Sequence, residues 1–280
     1  MVQNGDGMAS ERDWVPPGVD TSKANIARVY DYWLGGTNNF LADQDAARAL
    51  IAVEPNSRAM ARANRGFLGR AVRFLAASGI RQFIDVGSGI PTARNVHEVA
   101  EEAAPGSRVV YADIDEVVVA HSRALLENNP DVSVIQADLR NPRDILDAPE
   151  TRRLIDFEKP VGILLAAVLH FIPDHDDPWA IVARLRDAIV PGSYLVLSHA
   201  SAEMMSEDFA KVAKKVYEGK VAASSNIRRR DSIARLFDGF DLLEPGLVWL
   251  PQWRPDNPDD VPRHPEKLWM LAGVGVIPAG

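Results

Sequence analysis

The sequence predicts an α/β protein, with a mostly parallel seven-stranded sheet preceded by an N-terminal helical region. Three observations predict it. After roughly residue 78, short apolar runs alternate with windows of helical periodicity, which is the pattern of βαβ units. The run Val161–Leu169 is apolar throughout and suits a central strand covered on both faces. Roughly the first 78 residues show helical periodicity and no strand signal.

In chain order, residues 1–20 are polar and rich in Gly, Pro and Asp, and read as a mobile tail. Residues 21–78 read as a helical cap and 79–280 as the sheet domain. Thr21 or Ser22 is placed to cap a first helix that runs to about Leu34. Its Ile26, Val29, Tyr30, Trp33 and Leu34 form one apolar stripe, and Gly35-Gly36 ends it. A second helix fits Asp43–Val53. Ser57 is placed to cap a third, which runs to about Ala77 before Gly79. Strands are expected at Gln82–Val86, Arg108–Ala112, Val132–Ala137, Val161–Val168, Ser193–Ser198, Phe240–Leu243 with Leu247–Leu250, and Leu268–Val276. Helices fit between them at Thr92–Glu102, Glu116–Leu126, Pro142–Arg153, Pro178–Ile189 and twice within 203–237. The Pro- and Asp-rich stretch 253–267 reads as a surface loop, so the last two strands have no helix between them and should pair antiparallel.

Composition narrows the function classes. The chain is 46% hydrophobic and 25% charged, ordinary for a globular protein. It has no cysteine, which excludes disulfides, thiolate metal sites and cysteine nucleophiles. The six histidines never take HExxH spacing, and no metal site is expected. A net charge of −8 argues against nucleic acid or an anionic membrane as partner. The longest apolar run is too short to span a bilayer, and the first residues lack a basic-then-apolar leader pattern. A cytoplasmic protein follows as the expectation, with homo-oligomerisation left open.

The chemistry concentrates at strand ends. The first strand leads into Asp85-Val86-Gly87-Ser88-Gly89, a Gly-rich turn that lets a ligand approach the backbone. The second ends at Asp113, placed to accept both hydroxyls of a ribose. The third ends at Asp138, placed to accept an exocyclic adenine amine, with the Leu139 amide beside it. Ligands of open α/β sheets bind at this edge. A dinucleotide is the competing ligand. Its GxGxxG fingerprint fails here, because Pro91 offers no amide and Thr92 stands at the third glycine. Asp85 would also repel a pyrophosphate. A cationic cofactor with ribose and adenine fits better, and S-adenosylmethionine carries both with a sulfonium and an ammonium, the latter suited to Asp85.

DVGSG (85–89), YADID (111–115) and QADLR (136–140), in this order and spacing, resemble the first three motifs of class I S-adenosylmethionine-dependent methyltransferases. More specifically, the chain resembles the bacterial S-adenosyl methyltransferase family. That resemblance also rests on ARVYDYWLGGTNNFLADQDAA (27–47), NRGFLGRAV (64–72), LLAAVLHFIPD (164–174), PGSYLVLSHA (191–200) and FDGFDLLEPGLV (237–248). It implies a Rossmann-like class I methyltransferase sheet with an antiparallel last strand, and a methyltransferase activity on an unidentified acceptor, read as a small molecule. It also implies Ile114 and Ala166 as cofactor neighbours. Two alternatives stay open at this level: an NAD-type oxidoreductase, and a non-catalytic cofactor-binding sensor or partner module.

Methyl transfer needs orientation first and a base only when the nucleophile carries a proton. The stretch after the fourth strand supplies small Ala166 and Ala167, with His170 and Asp174 as residues to contact or deprotonate the acceptor. His199 is a second histidine candidate. Residues 28–40 read as a lid, with Tyr32 and Asn38 over the cofactor and Arg28 on its carboxylate. Arg58, Arg62 and Arg65 share a helix face that could hold an anion, as could Arg228-Arg229-Arg230, although solvated charge accounts for both sets.

Overall fold

Three helices, α1 (Ile26–Leu34), α2 (Leu41–Val53) and α3 (Ser57–Ala77), precede the sheet. The computed structural model describes residues 20–91, 94–204, 208, 211–212 and 226–279. The expected tail apart from Asp20, the cap at Thr92, and most of the helical windows within 203–225 lie outside the described residues. Helix α1 is capped by Asn25 rather than by Thr21 or Ser22. The Asn25 side chain accepts from the amides of Ala27 at 2.8 Å and Arg28 at 3.2 Å, satisfying donors the first turn leaves open. Gly35 closes the helix in the left-handed conformation, as expected. Helix α2 begins two residues before Asp43 because the Asp43 carboxylate accepts the amide of Phe40 at 2.8 Å.

The sheet then forms from β1 (Gln82–Val86), β2 (Arg108–Asp113), β3 (Val132–Gln136), β4 (Gly162–Ala166), β5 (Tyr194–Ala200), β6 (Asp241–Leu242), β7 (Val248–Trp249) and β8 (Met270–Val276). Its order is β3-β2-β1-β4-β5-β8-β6, with β7 also on β8. Strands β1 to β5 pair in parallel, and β8 runs antiparallel to β5, β6 and β7. Among the described residues there are eight strands, not seven. The two expected runs, 240–243 with 247–250, counted together as one strand, form separate strands, since Pro245 lacks an amide for the ladder and Gly246 turns the chain.

Helices α4 (Val96–Ala103), α5 (Glu116–Leu126), α6 (Pro142–Leu146), α7 (Pro149–Leu154), α8 (Pro178–Arg186) and α9 (Arg230–Ala234) follow the sequence expectation with one more division. The helix expected over 142–153 breaks before Pro149, which cannot continue the hydrogen-bond ladder.

Alternation along the strands covers both faces of the sheet. Phe83, Val109, Leu164 and Val196 belong to one apolar cluster, which takes in α1, α2 and α3. Their neighbours Ile84, Val110, Leu165 and Leu197 belong to the other, with α8 and α9. The N-terminal helices therefore share a core with the sheet. Helix α3 is also tied to the C-terminal loop, where Arg70 donates to the carbonyls of Trp253 at 3.0 Å and Leu250 at 2.9 Å. No helix among the described residues is long and apolar enough to cross a membrane.

Candidate active site

Parallel register brings the carboxyl ends of β1, β2 and β3 to one edge, and there α1 and α3 roof a cavity of about 490 Å³. Asp85, Gly87, Ser88, Gly89, Asp113, Ile114, Asp138, Leu139, Ala166 and His170 all line it. Of the residues expected at the cofactor, Tyr32, Asn38 and Arg28 do not line it.

The glycine turn is built for close approach. Gly87 has a φ of 70°, and a Cβ there would fall 2.5 Å from Val168 Cγ2. Gly89 has a φ of 67°, yet a Cβ would meet nothing within 4 Å. The first glycine is needed for packing, while the second leaves open space beside the turn. Asp113 braces the turn from β2. Its Oδ2 accepts the Gly89 amide and its Oδ1 the Asp115 amide, each at 3.0 Å. A carboxylate offers about four acceptor sites, so about two remain for a ligand hydroxyl pair.

The acids differ in charge state. Burial drives the Asp85 carboxyl up to about 7, against the pull of Arg65 and with help from Asp113. Burial also raises Asp113, opposed by the amides it accepts. Asp138 goes the other way. Burial opposes its ionisation, but hydrogen bonds from Arg140 outweigh that and hold it below the usual range. Arg140 Nε lies 2.8 Å and Nη2 2.5 Å from Asp138 Oδ2. The Asp138 carboxylate is thus already engaged, and a ligand amine there must share it with Arg140.

Behind β4 the backbone is held in an unusual shape. Ala167 has a φ of 57°, uncommon for a residue with a side chain. Its amide donates to Ser198 Oγ at 2.9 Å, and Ser198 donates onward to Asn64 Oδ1 at 2.6 Å. Asn64 Nδ2 donates to the Tyr30 hydroxyl at 3.0 Å, which donates to the Ala61 carbonyl at 3.1 Å. This relay fixes the cavity floor at Ala167 to the roof helices α1 and α3.

His170 lines the cavity and is 8% exposed. Its Nδ1 accepts the Ala200 amide over 3.5 Å, so a neutral ring carries its proton on Nε2. Burial, then His199 and Arg228, hold it well below the usual histidine range.

Several expectations are corrected. Asp174 does not line the cavity. Its side chain is 67% exposed, and Oδ1 accepts from Arg228 Nε at 3.0 Å and Nη2 at 2.7 Å. His199 is fully buried and has both nitrogens committed: Nδ1 donates to the Ala200 carbonyl at 2.7 Å, and Nε2 accepts from Arg228 at 2.9 Å. Burial drives it down to about 3, helped by Arg228 against the Ala200 carbonyl. Arg228 is not a solvated charge. It is 5% exposed and also donates to the carbonyls of Leu169 and Ile172. Tyr32 lies outside the cavity, with the guanidinium of Arg58 4.8 Å from its ring and that of Arg48 at 5.8 Å. Arg28 is buried on Asp43, and the amide of Asn38 donates to Asp31 Oδ2 at 2.9 Å, so neither reaches the cavity. Of the expected Arg58, Arg62 and Arg65 on α3, only Arg65 lines it.

Sequence reasoning missed Tyr30, Asp31, Trp33, Asn64, Trp269 and Met270 as lining residues. The signal for Asn64 was present, since it is a polar residue in step with Met60, Ala61 and Leu68 on a buried face. No cluster of three or more His, Asp or Glu among the described residues is arranged to hold a metal.

The comparisons with known proteins bear on the family and the fold. A candidate methyltransferase from Thermobifida fusca YX is 42% identical with a TM-score of 0.86, over 95% of this chain and 100% of that one. A DUF574 family protein from Streptomyces avermitilis MA-4680 is 38% identical with a TM-score of 0.86, over 92% of this chain and 99% of that one. No curated protein matches. Neither an oxidoreductase nor a non-catalytic module finds support. The family profile described as S-adenosyl methyltransferase spans residues 12–278, so the chain belongs to that family of S-adenosylmethionine-dependent methyltransferases, with a Rossmann-like class I fold.

Proposed function

We propose that this enzyme moves a methyl group from S-adenosylmethionine to a small molecule held in the same cavity, and that the strand-end acids hold the donor. The observation that supports this most is the convergence of Asp85, Asp113 and the open Gly89 turn in one pocket. The residues fit the cofactor. In this reading Asp113 accepts the ribose hydroxyls, Asp85 faces the ammonium with Arg65 near the carboxylate, and Leu139 and Asp138 border the adenine. Ile114 and Ala166 pack against it.

When bound, the cofactor supplies a methyl carbon already activated by its sulfonium. The chain's own task is orientation and exclusion of water. Ala166 and Ala167 leave room beside the donor, and α1 roofs it. His170 contacts the acceptor through Nε2–H as a donor that orients it. Asp174 keeps no catalytic part in this proposal and instead anchors Arg228. The proposal includes the bacterial setting that the resemblance implies and the cytoplasmic one expected from the sequence.

Isothermal titration with S-adenosylmethionine, S-adenosylhomocysteine and NAD tests it, together with transfer of labelled methyl into a metabolite extract. Binding of both sulfur ligands without NAD binding, and label in a small-molecule fraction, are expected. NAD binding with no response to either sulfur ligand would overturn the proposal.

A further inference from the structure

Building on that reading, we propose that the methyl acceptor is an uncharged, predominantly apolar molecule whose reacting hydroxyl or amine is its main polar group. Sheet order divides the cavity. The cofactor acids lie on β1, β2 and the end of β3, and the remaining wall comes from α1, α3, the segment after β4, β5 and the start of β8. That wall carries Trp33, Met60, Leu68, Phe171, Trp269 and Met270.

Among the described residues, the arginines lining the cavity are Arg65 and Arg140. Both serve the cofactor end. Arg140 is paired to Asp138 and lies 3.9 Å from Asp176, while Arg65 acts on Asp85 and Tyr111. Arg28 and Arg228 are buried on protein partners and do not line the cavity. His175 also lines the cavity after β4, but its side chain is 81% exposed and lies 3.6 Å from Asp176. A carboxylate or phosphate deep in the apolar end would therefore be buried without a counter-charge, which is strongly unfavourable. A fixed cation there would sit beside the sulfonium of the donor, and the acid of that wall, Asp31, already accepts the Asn38 amide and Asn39 Nδ2 on its Oδ2, with burial raising its carboxyl.

The wall nevertheless offers a polar handle. His170 lines it, and its Nε2–H suits one hydroxyl, amine or carbonyl on an otherwise apolar body. Size follows as well. A volume of about 490 Å³ is that of a pocket for one drug-sized ligand, and donor and acceptor must share it.

The test uses the full chain saturated with S-adenosylhomocysteine and three probes of one shape: 2-naphthol, 2-naphthoate and 2-naphthyltrimethylammonium. Isothermal titration should show 2-naphthol binding at least about tenfold more tightly than either charged probe. Phe171→Lys, at a half-buried position, should shift preference toward 2-naphthoate. A charged probe binding as tightly as 2-naphthol, or none of the three binding, overturns the proposal. Failure of S-adenosylhomocysteine itself to bind overturns the methyltransferase reading, and this inference with it.

Discussion

Arg28 Nε and Asp43 Oδ2 meet at 2.8 Å as an ion pair whose side chains are 3% and 0% exposed. Asp43 also accepts the amides of Asn25 at 2.7 Å and Phe40 at 2.8 Å. One carboxylate thus joins the start of α1, its second residue pair and the start of α2. The roof of the cavity depends on it, although neither residue lines the cavity.

Asp43→Ala would leave a buried guanidinium without its counter-charge, which typically costs about 3–5 kcal/mol. Urea unfolding should show a loss of that order. Asp45→Ala, which removes a solvated partner of Arg48, should cost no more than about 1 kcal/mol. Equal effects of the two substitutions would mean that the buried pair holds nothing in place.

Asp113→Asn should weaken S-adenosylhomocysteine binding. A charged acceptor facing a hydroxyl pair contributes about 1.5–3 kcal/mol, or roughly ten- to over a hundredfold in affinity. Asparagine keeps one oxygen for the turn that Asp113 braces at Gly89. Unchanged affinity in a folded variant would remove Asp113 from the site.

The Asp85 carboxyl gives two opposite pH dependences. Its folded pKa is raised from 3.8 to about 7, so the folded protein binds that proton more tightly than the unfolded chain. The stability it contributes is complete below about pH 4 and is lost as pH rises through about 7. At about 1.4 kcal/mol per unit, the loss amounts to at most about 4 kcal/mol. Cofactor binding has the opposite sign, since an ammonium needs the ionised carboxylate. Affinity should rise with pH up to about 7 while ligand-free stability falls. Asp85→Asn should flatten both trends, and a variant retaining both slopes would shift their cause to another group.

The contrast between what was legible in the sequence and what was not has a physical basis. Strands β1 to β3 could be read because a short apolar run closed by an acid fits the end of a buried strand and little else, and register then carries the acids to one edge. The roof was harder. Tyr30 and Tyr32 sit two positions apart on α1, about 200° around the helix, and only Tyr30 lies on the stripe that faces the cavity. An apolar stripe that lines a cavity looks the same in sequence as one that packs a core. Arg28 and Arg228 were misread for a related reason. Their partners lie 15 and 54 residues away, at Asp43 and Asp174, and no local spacing reveals such pairs.

Arg228 and Asp174 should respond very differently to substitution. Arg228→Met strips donors from the Leu169 and Ile172 carbonyls and from His199 Nε2, all on buried backbone or side chains. Each orphaned buried acceptor costs about 1–3 kcal/mol, so several kcal/mol should be lost. Asp174→Ala takes the acid from a guanidinium that is 4% exposed, but the Asp174 side chain is itself 67% exposed and water can stand in its place, so the loss should be smaller than for Arg228→Met, with S-adenosylhomocysteine affinity unchanged. A large loss of methyl transfer in Asp174→Ala with an intact fold would return Asp174 to the reacting centre.

The roof helix is where ligand binding should be felt. Asn25, Ile26, Ala27, Tyr30, Asp31, Trp33 and Leu34 line the cavity, whereas residues 36–40 do not. The loop is already fastened, with the Asn38 amide at 2.9 Å and Asn39 Nδ2 at 2.8 Å from Asp31 Oδ2, and Phe40 on Asp43. Asn25 Nδ2 donates to Asp115, so the start of α1 is clasped to the loop that follows Asp113. A ligand on Asp113 should steady that clasp and the helix behind it. Amide exchange should therefore slow in 26–34 when S-adenosylhomocysteine is added, with little change in 36–40. Tyr30→Phe keeps the ring but removes the hydroxyl that joins Asn64 to Ala61, and should lower affinity. Tyr32→Ala should leave affinity unchanged, because that ring lies between arginines outside the cavity. Slowing confined to 36–40, or a loss of affinity with Tyr32→Ala but not with Tyr30→Phe, would show that the loop and not the helix closes the site.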